Sequence, residues 1–213
     1  MKQRVLAMCG VIAPLLFILM AILGGAMRPG YSHISDTVSE LLSPGSPNRL
    51  LLTVFLTTYA LLMAMFGAGL LLTVRRSEQS TQIGSVGASM SIAAGMLSVA
   101  IATVFPQDPW GSARTFAGEM HMILSAVIGV LQMLSISLLG IWFRRAGISA
   151  GLAAYSFLTA AAAIVFGGFL VTTAGTPLMG LAERISILVG FLWTFVIALW
   201  MVSRTSHQSW QTS

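Results

Sequence analysis

Charge is scarce in this chain. Only 8% of its 213 residues are charged, against about 25% in an ordinary soluble domain. With 56% hydrophobic residues it lacks the side chains to make a polar surface, which excludes a soluble globule. A bilayer resolves the conflict, because apolar groups facing acyl tails need no hydration. Cysteine is almost missing too. Cys9 is the single one and lies in an apolar run, so neither an intrachain disulfide nor a cysteine-based zinc cluster can form. Histidine is limited to His33, His121 and His207. A massed basic stretch is also lacking: the net charge of +5 is spread over single and paired residues, which argues against nucleic acid as a partner.

What the chain does have is long apolar runs. A spanning helix needs about 20 mainly apolar residues, since the hydrocarbon core is about 30 Å thick and each residue rises 1.5 Å. Six stretches qualify: Val5–Met27, Leu50–Val74, Ile83–Phe105, Gly118–Phe143, Ser149–Val171 and Arg184–Val202. None carries a charge near its middle. They are continuous rather than short and alternating, which excludes a strand barrel. The expectation is one all-α integral membrane domain over 1–213, a polytopic bundle of six helices. The start MKQR, an apolar run and LGGA resemble a secretory signal peptide, but the apolar stretch exceeds the usual core of about 7–15 residues. It is therefore expected to remain as the first span.

Charge predicts the orientation. With the N-terminus inside, Lys2, Arg4, Arg75, Arg76, Arg144, Arg145 and Arg204 are inside with Glu78. Arg28, Arg49, Arg114 and Arg184 are outside with Asp36, Glu40, Asp108, Glu119 and Glu183. Seven cations against four obeys the positive-inside rule and predicts both termini in the cytoplasm of a cell whose inner (plasma) membrane holds the chain. Trp142 and Trp200 fall near the predicted inner interface, as belt residues do. Gly87, Ser91 and Gly95, and then Ala163 and Gly167, recur at four-residue spacing, which lets helix backbones approach closely. Packing inside the bundle is the plain expectation and a homo-oligomer seam the alternative. No repeat relates the two halves, so an inverted-repeat transporter has no support.

The polar chemistry is concentrated in the predicted outer loops. The first reads RPGYSHISDTVSELLSPGSPN, from Arg28 to Asn48. Ser35 to Leu42 is expected to form a short helix capped by Ser32 or Ser35, with Val38, Leu41 and Leu42 on one side. Asp36 and Glu40 would share a face of it, which costs about 0.2–0.5 kcal/mol unless a cation compensates; Arg49 and Arg114 are candidates. SPGSPN then breaks the chain, and Asn48 is placed to cap the second span. The next outer loop reads FPQDPWGSARTFAGEMH. Pro106 ends the third span, and Glu119 and His121, two positions apart, point to different sides of the fourth. GLAERIS puts Glu183 and Arg184 at the mouth of the sixth, where an ion pair with another loop is their simplest role.

GYSHISDTVSELLSPGSPN, FPQDP, His121 and GLAERI, in this order between these spans, resemble the bacterial and archaeal membrane family catalogued as domain of unknown function 998. The resemblance covers nearly the whole chain and implies six helices. It carries motif positions onto Ser35, Asp36, Ser39, Glu40, Pro44, Asn48, Pro106, Asp108, His121, Glu183 and Arg184, and it implies no chemistry.

From the residues themselves, the candidate site is a polar cluster of His33, Ser35, Asp36, Glu40, Asp108, Glu119, His121, Glu183 and Arg184 under a cap of outer loops. Binding of a lipid headgroup, an ion or a membrane-protein partner is the first expectation. A hydrolase is the second, since His33, Asp36, Asp108 and His121 are types that hold a catalytic metal. A Ser35, His121 and Asp108 triad can be drawn as well, without a local nucleophile motif to support it. A three-histidine zinc site is ruled out within one subunit, because His207 is on the opposite side. The third is a carrier for a lipid or apolar solute. Gln132 and scattered Thr57, Ser98 and Thr194 are too few for an ion pathway. No cofactor is indicated.

Overall fold

The computed structural model describes the backbone of residues 2–79 and 81–210 and the side chains among them through Arg204; His207 lies outside the described side chains. The described residues form six α-helices: α1 Lys2–Met27, α2 Arg49–Arg76, α3 Gln82–Thr103, α4 Phe116–Arg145, α5 Ala150–Thr172 and α6 Met179–Trp210. All six are long and apolar enough to cross a bilayer, so the protein is a multi-pass membrane protein. Each helix packs mainly on its neighbours in sequence, and α6 closes back onto α1.

Helix starts follow local chemistry. Thr81, Thr115 and Ser149 each accept the backbone N–H of the third residue of the helix they precede, at 3.1–3.2 Å. Asn48 differs from expectation. It stands ahead of α2 in the left-handed conformation, φ +57°, and its side chain makes no capping bond. Asparagine tolerates that conformation, so it turns the chain and does not cap it.

Two glycine contacts set the helix spacing. A Cβ on Gly95 would lie 2.6 Å from the Ala64 nitrogen, and one on Gly67 2.8 Å from the Ile92 nitrogen, so α2 and α3 touch backbone to backbone. On α3, Gly87 faces Leu138 and Leu139 of α4, and Ser91 is buried. The stripe Gly87, Ser91 and Gly95 is thus spent on packing within the bundle. The Ala163 and Gly167 pair is not: a Cβ on Gly167 would meet nothing within 4 Å.

Trp142, Trp193, Phe66 and Phe143 fill the core towards the end of the bundle that carries the paired arginines. Trp193 donates to Ser156 Oγ at 2.9 Å and Trp142 to the Gln79 carbonyl at 3.3 Å. Trp142 is therefore a core residue and not the lipid-facing belt residue its position suggested, because Gly84 opens room for its ring. Trp200 is half-buried, edge-on to Phe143 and beneath Arg204.

Helix ends lie within three residues of the expected spans except at α6, which runs from Met179 to Trp210 rather than from Arg184 to Val202. Pro177 and the Thr176 hydroxyl, which accepts from the Leu178 nitrogen at 3.3 Å, begin it. Glu183 and Arg184 are helical because the loop between α1 and α2 supplies their polar partners. That loop is held from below by Val38, Leu41 and Leu42, which are buried with Met20, Ala21 and Leu52.

Candidate functional site

The loop 28–48 is a chain of small turns and not a continuous helix. Asp36 Oδ2 accepts from the Ser32 nitrogen at 2.8 Å, and the Ser35 hydroxyl donates to Oδ1 at 3.1 Å. Ser32 Oγ accepts from the Ile34 and Ser35 nitrogens. The next unit is a reciprocal capping box. Thr37 Oγ1 accepts from the Glu40 nitrogen at 3.3 Å, and Glu40 Oε2 accepts from the Thr37 nitrogen at 3.0 Å. It starts a single 3-10 turn, Ser39–Leu42. The expected helix over Ser35–Leu42 is therefore corrected: Asp36 precedes the turn, the two acids do not share a helix face, and Ser32 rather than Ser35 is the local cap. Nor do Arg49 or Arg114 compensate them. Backbone N–H groups do, while Arg28 donates to the Glu40 carbonyl at 2.7 Å.

The first turns of α6 clasp this loop. The Leu181 nitrogen, an unpaired donor at a helix start, gives its proton to the Ile34 carbonyl at 2.8 Å. Gly180 makes this approach feasible, since any Cβ there would collide with the Asp36 carbonyl oxygen. Glu183 Oε2 takes the Val38 N–H, and Oε1 stands 3.3 Å from Ser39 Oγ. Arg184 donates to the carbonyls of Asp36 and Gly180 at 2.8 Å each, to the Tyr31 hydroxyl, and to His33 Nδ1 at 3.2 Å. Glu183 and Arg184 thus bind the loop through its backbone and through neutral side chains, and the expected ion pair is replaced by these bonds. Tyr31 passes its own proton to the Thr37 carbonyl at 2.8 Å. Burial pushes its phenol up to about 12, so it stays protonated at any physiological pH.

From the other side, α4 contributes His121, buried with 6% exposure. Its Nδ1 is 2.9 Å from the Phe105 carbonyl and its Nε2 is 3.3 Å from Ser39 Oγ. A carbonyl only accepts, so Nδ1 carries the proton and Nε2 is left as an acceptor. The single hydroxyl proton of Ser39 is therefore shared between two acceptors, His121 and Glu183. Glu119 is exposed on the opposite side of α4, as its spacing predicts.

Asp108 has a separate task. It accepts from the Thr115 nitrogen at 2.8 Å and from the Thr115 hydroxyl at 2.7 Å, over the start of α4. A Cβ on Gly118 would strike this carboxylate. The Thr115 bonds hold the Asp108 carboxyl below its usual value of 3.8. A carboxyl depressed by folding stabilises above its unfolded value and loses that contribution as pH falls through the folded one. The protection of the Thr115 amide against hydrogen exchange is thus expected to be level at neutral pH and to fall only below pH 3.8. Asp108→Asn should remove that acid step.

The structure divides the candidate set. Ser35, Asp36 and Glu40 line one cavity of about 330 Å³, together with Trp110, Gly175, Thr176, Pro177 and Met179. His33 and Arg184 end a second, apolar one between α1 and α6. Ser39, His121 and Glu183 form a hydrogen-bonded chain that lines neither. Asp108 acts on His121 through its charge but bonds only Thr115, and the exposed Glu119 stands apart. The four suggested metal ligands do not converge, and among the described residues no three His, Cys, Asp or Glu side chains are grouped to hold a metal. The Ser35, His121 and Asp108 triad is not assembled either, since Ser35 bonds Asp36, His121 faces Ser39 and Asp108 caps α4. Of the residues that matter here, Thr37 was legible as the start of a T-x-x-E capping box. Tyr31, Trp110 and Gly180 carried no local signal.

Residues 11–200 match the family described as "Protein of unknown function (DUF998)". No curated protein and no solved structure matches the chain.

Proposed function

Given that the chain belongs to the family of proteins of unknown function DUF998 and crosses a bilayer six times, we propose that it is a membrane receptor for a cationic amine, captured at the face formed by the α1–α2, α3–α4 and α5–α6 loops. The observation that carries this is the cavity of about 330 Å³ lined by Asp36, Glu40 and Trp110 and by no basic residue, Arg184 and Arg28 being held on the main-chain carbonyls of the two acids. Carboxylates supply charge and hydrogen-bond acceptors for an ammonium group. An indole face attracts the same cation through its quadrupole, by about 0.5–2 kcal/mol. Trp110 is held beside Gly175, where a Cβ would be 3.5 Å from its ring, so three loops contribute to one site. At a membrane surface the abundant ligand of this chemistry is an ethanolamine or choline lipid headgroup.

The arginine pairs at the opposite end support an outward-facing site, with both termini in the cytoplasm and the chain in the inner membrane. The hydrolase alternative is served less well. Ser39 and His121 are the nearest approach to a nucleophile and base, and they line neither cavity beside the loop. A carrier would need a route for its solute past the aromatic core around Trp142 and Trp193.

Titrating the detergent-purified chain with ethanolamine and with choline, by calorimetry, tests the proposal. Saturable binding is expected for at least one, with about tenfold weakening in Asp36→Asn or Glu40→Gln and a smaller loss in Trp110→Leu. No binding of either amine, or binding indifferent to all three substitutions, sinks it.

A further inference from the structure

The second cavity differs from the first in every respect. It is a groove of about 250 Å³ on the α1–α6 seam, walled by Phe17, Ile18 and Ile22 of α1 and by Ile187, Leu188 and Phe191 of α6. Both helices are membrane spans, so the groove opens sideways towards acyl chains. Ile22 and Leu188 at its walls are 56% and 42% exposed. Where it meets the loop face it ends on His33 and Arg184.

That end carries a cation but bares little polar surface, so what it can offer is the edge of Arg184 and His33. A guanidinium has five N–H groups. Four of those on Arg184 go to two carbonyls, a phenol oxygen and an imidazole nitrogen, all neutral. Among the described residues no carboxylate bonds to it; neighbouring Glu183 is turned to Val38 and Ser39. The fifth N–H, on Nε, has no partner among them. His33 accepts from Arg184 at Nδ1, which leaves the proton on Nε2, and its exposed ring lies over Gly25. An apolar slot open to lipid, ending at a guanidinium that bonds no carboxylate and stands beside an imidazole N–H, complements one kind of molecule: a chain of methylenes bearing an oxyanion at its polar end.

We propose that the α1–α6 groove is a binding site for one anionic phospholipid, with an acyl chain between Ile22 and Leu188 and the phosphodiester against Arg184 and His33. The bound lipid braces α6 at the point where it clasps the α1–α2 loop. The site shares no lining residue with the carboxylate pocket and binds the opposite charge.

Native mass spectrometry of the delipidated full chain, titrated separately with phosphatidylglycerol and with diacylglycerol of the same chains, tests this. One phosphatidylglycerol should be retained per chain, with diacylglycerol at least about tenfold weaker, the worth of a charge-assisted contact. Leu188→Trp fills the slot without touching the loop's hydrogen bonds and should abolish retention. His33→Ala should weaken it several-fold. Arg184→Gln should lower it by about tenfold or more, and since that residue also holds the loop, Leu188→Trp keeps the test decisive if Arg184→Gln does not fold. Equal retention of the two lipids, or wild-type retention of phosphatidylglycerol in Leu188→Trp, overturns the proposal. Calorimetric amine binding that persists in Leu188→Trp separates this outcome from failure of the carboxylate pocket.

Discussion

Replacing Arg184 by alanine is expected to release the α1–α2 loop from the mouth of α6 and to destabilise the protein by about 3 kcal/mol. A hydrogen bond to a charged group contributes about 1.5–3 kcal/mol, and the four made here share one guanidinium, so they do not add in full. The loss reaches further than one side chain. The Tyr31 hydroxyl, the Asp36 carbonyl and His33 would each lose a donor, and the cation stacked 5.7 Å from the Tyr31 ring centre would be gone. Hydrogen exchange over 28–48 should rise sharply while the inner halves of α2, α3 and α4 keep their protection, because Val74, Trp142 and Phe143 pack far from this loop. Arg184→Lys should recover only part of the stability, since an ammonium offers three donors from one point and cannot span carbonyl, phenol and imidazole together. Full protection of the loop in Arg184→Ala would mean that Leu181, Glu183 and the apolar residues beneath hold it without help.

Gly180→Ala should produce a comparable opening from the smallest of changes. On an unobstructed helix position this substitution stabilises by roughly 1 kcal/mol, through backbone entropy. At Gly180 the new methyl group would sit on the Asp36 carbonyl oxygen, with the Asp36 nitrogen and carbonyl carbon each 2.8 Å away. These are backbone atoms, and they cannot rotate aside. Either the loop lifts and gives up the bond from the Leu181 nitrogen to the Ile34 carbonyl, or α6 shifts away from α1. Overpacking of this kind costs about 1–3 kcal/mol, enough to outweigh the entropic gain. Gly129→Ala is the control: a Cβ there meets nothing within 4 Å, so thermal stability should stay level or rise. A melting temperature for Gly180→Ala at or above that of Gly129→Ala would show that the loop yields without cost. Amine binding should fall with Gly180→Ala as well, because Asp36 also lines the carboxylate pocket.

Much of the candidate site was visible as residue types but not as groups. The sequence concentrates Asp36, Glu40, Asp108, Glu119, His121, Glu183 and Arg184 near helix ends and loops, which suggested one shared cluster. The structure does not gather them around one point: Asp36 and Glu40 line one cavity, Arg184 ends another, His121 and Glu183 meet at Ser39, Asp108 bonds Thr115, and Glu119 is exposed. The reason is satisfaction of backbone groups. Asp36 and Glu40 are drawn to the Ser32 and Thr37 nitrogens, Glu183 to the Val38 nitrogen and Asp108 to the Thr115 nitrogen. A loop without regular structure leaves such donors open, and nearby carboxylates occupy them before they can collect around a metal. Bonds such as Val38 to Glu183 join residues far apart in sequence, and spacing along the chain carries no trace of them.

Composition and periodicity by themselves determined the membrane class, the number of helices and nearly all of their limits. Those properties follow from the thickness of a bilayer and the rise of a helix, and each segment meets them alone. Capping by Thr81, Thr115 and Ser149 is equally local. Tertiary structure alone decided that α6 starts at Met179, that Trp142 is core, that Gly180 must lack a side chain, and that Trp110 meets Asp36 and Glu40 in one cavity while Arg184 meets His33 in another. Each of these depends on which surfaces touch once six apolar helices have chosen their neighbours, and that choice rests on shape and on buried hydrogen bonds between segments remote in the chain.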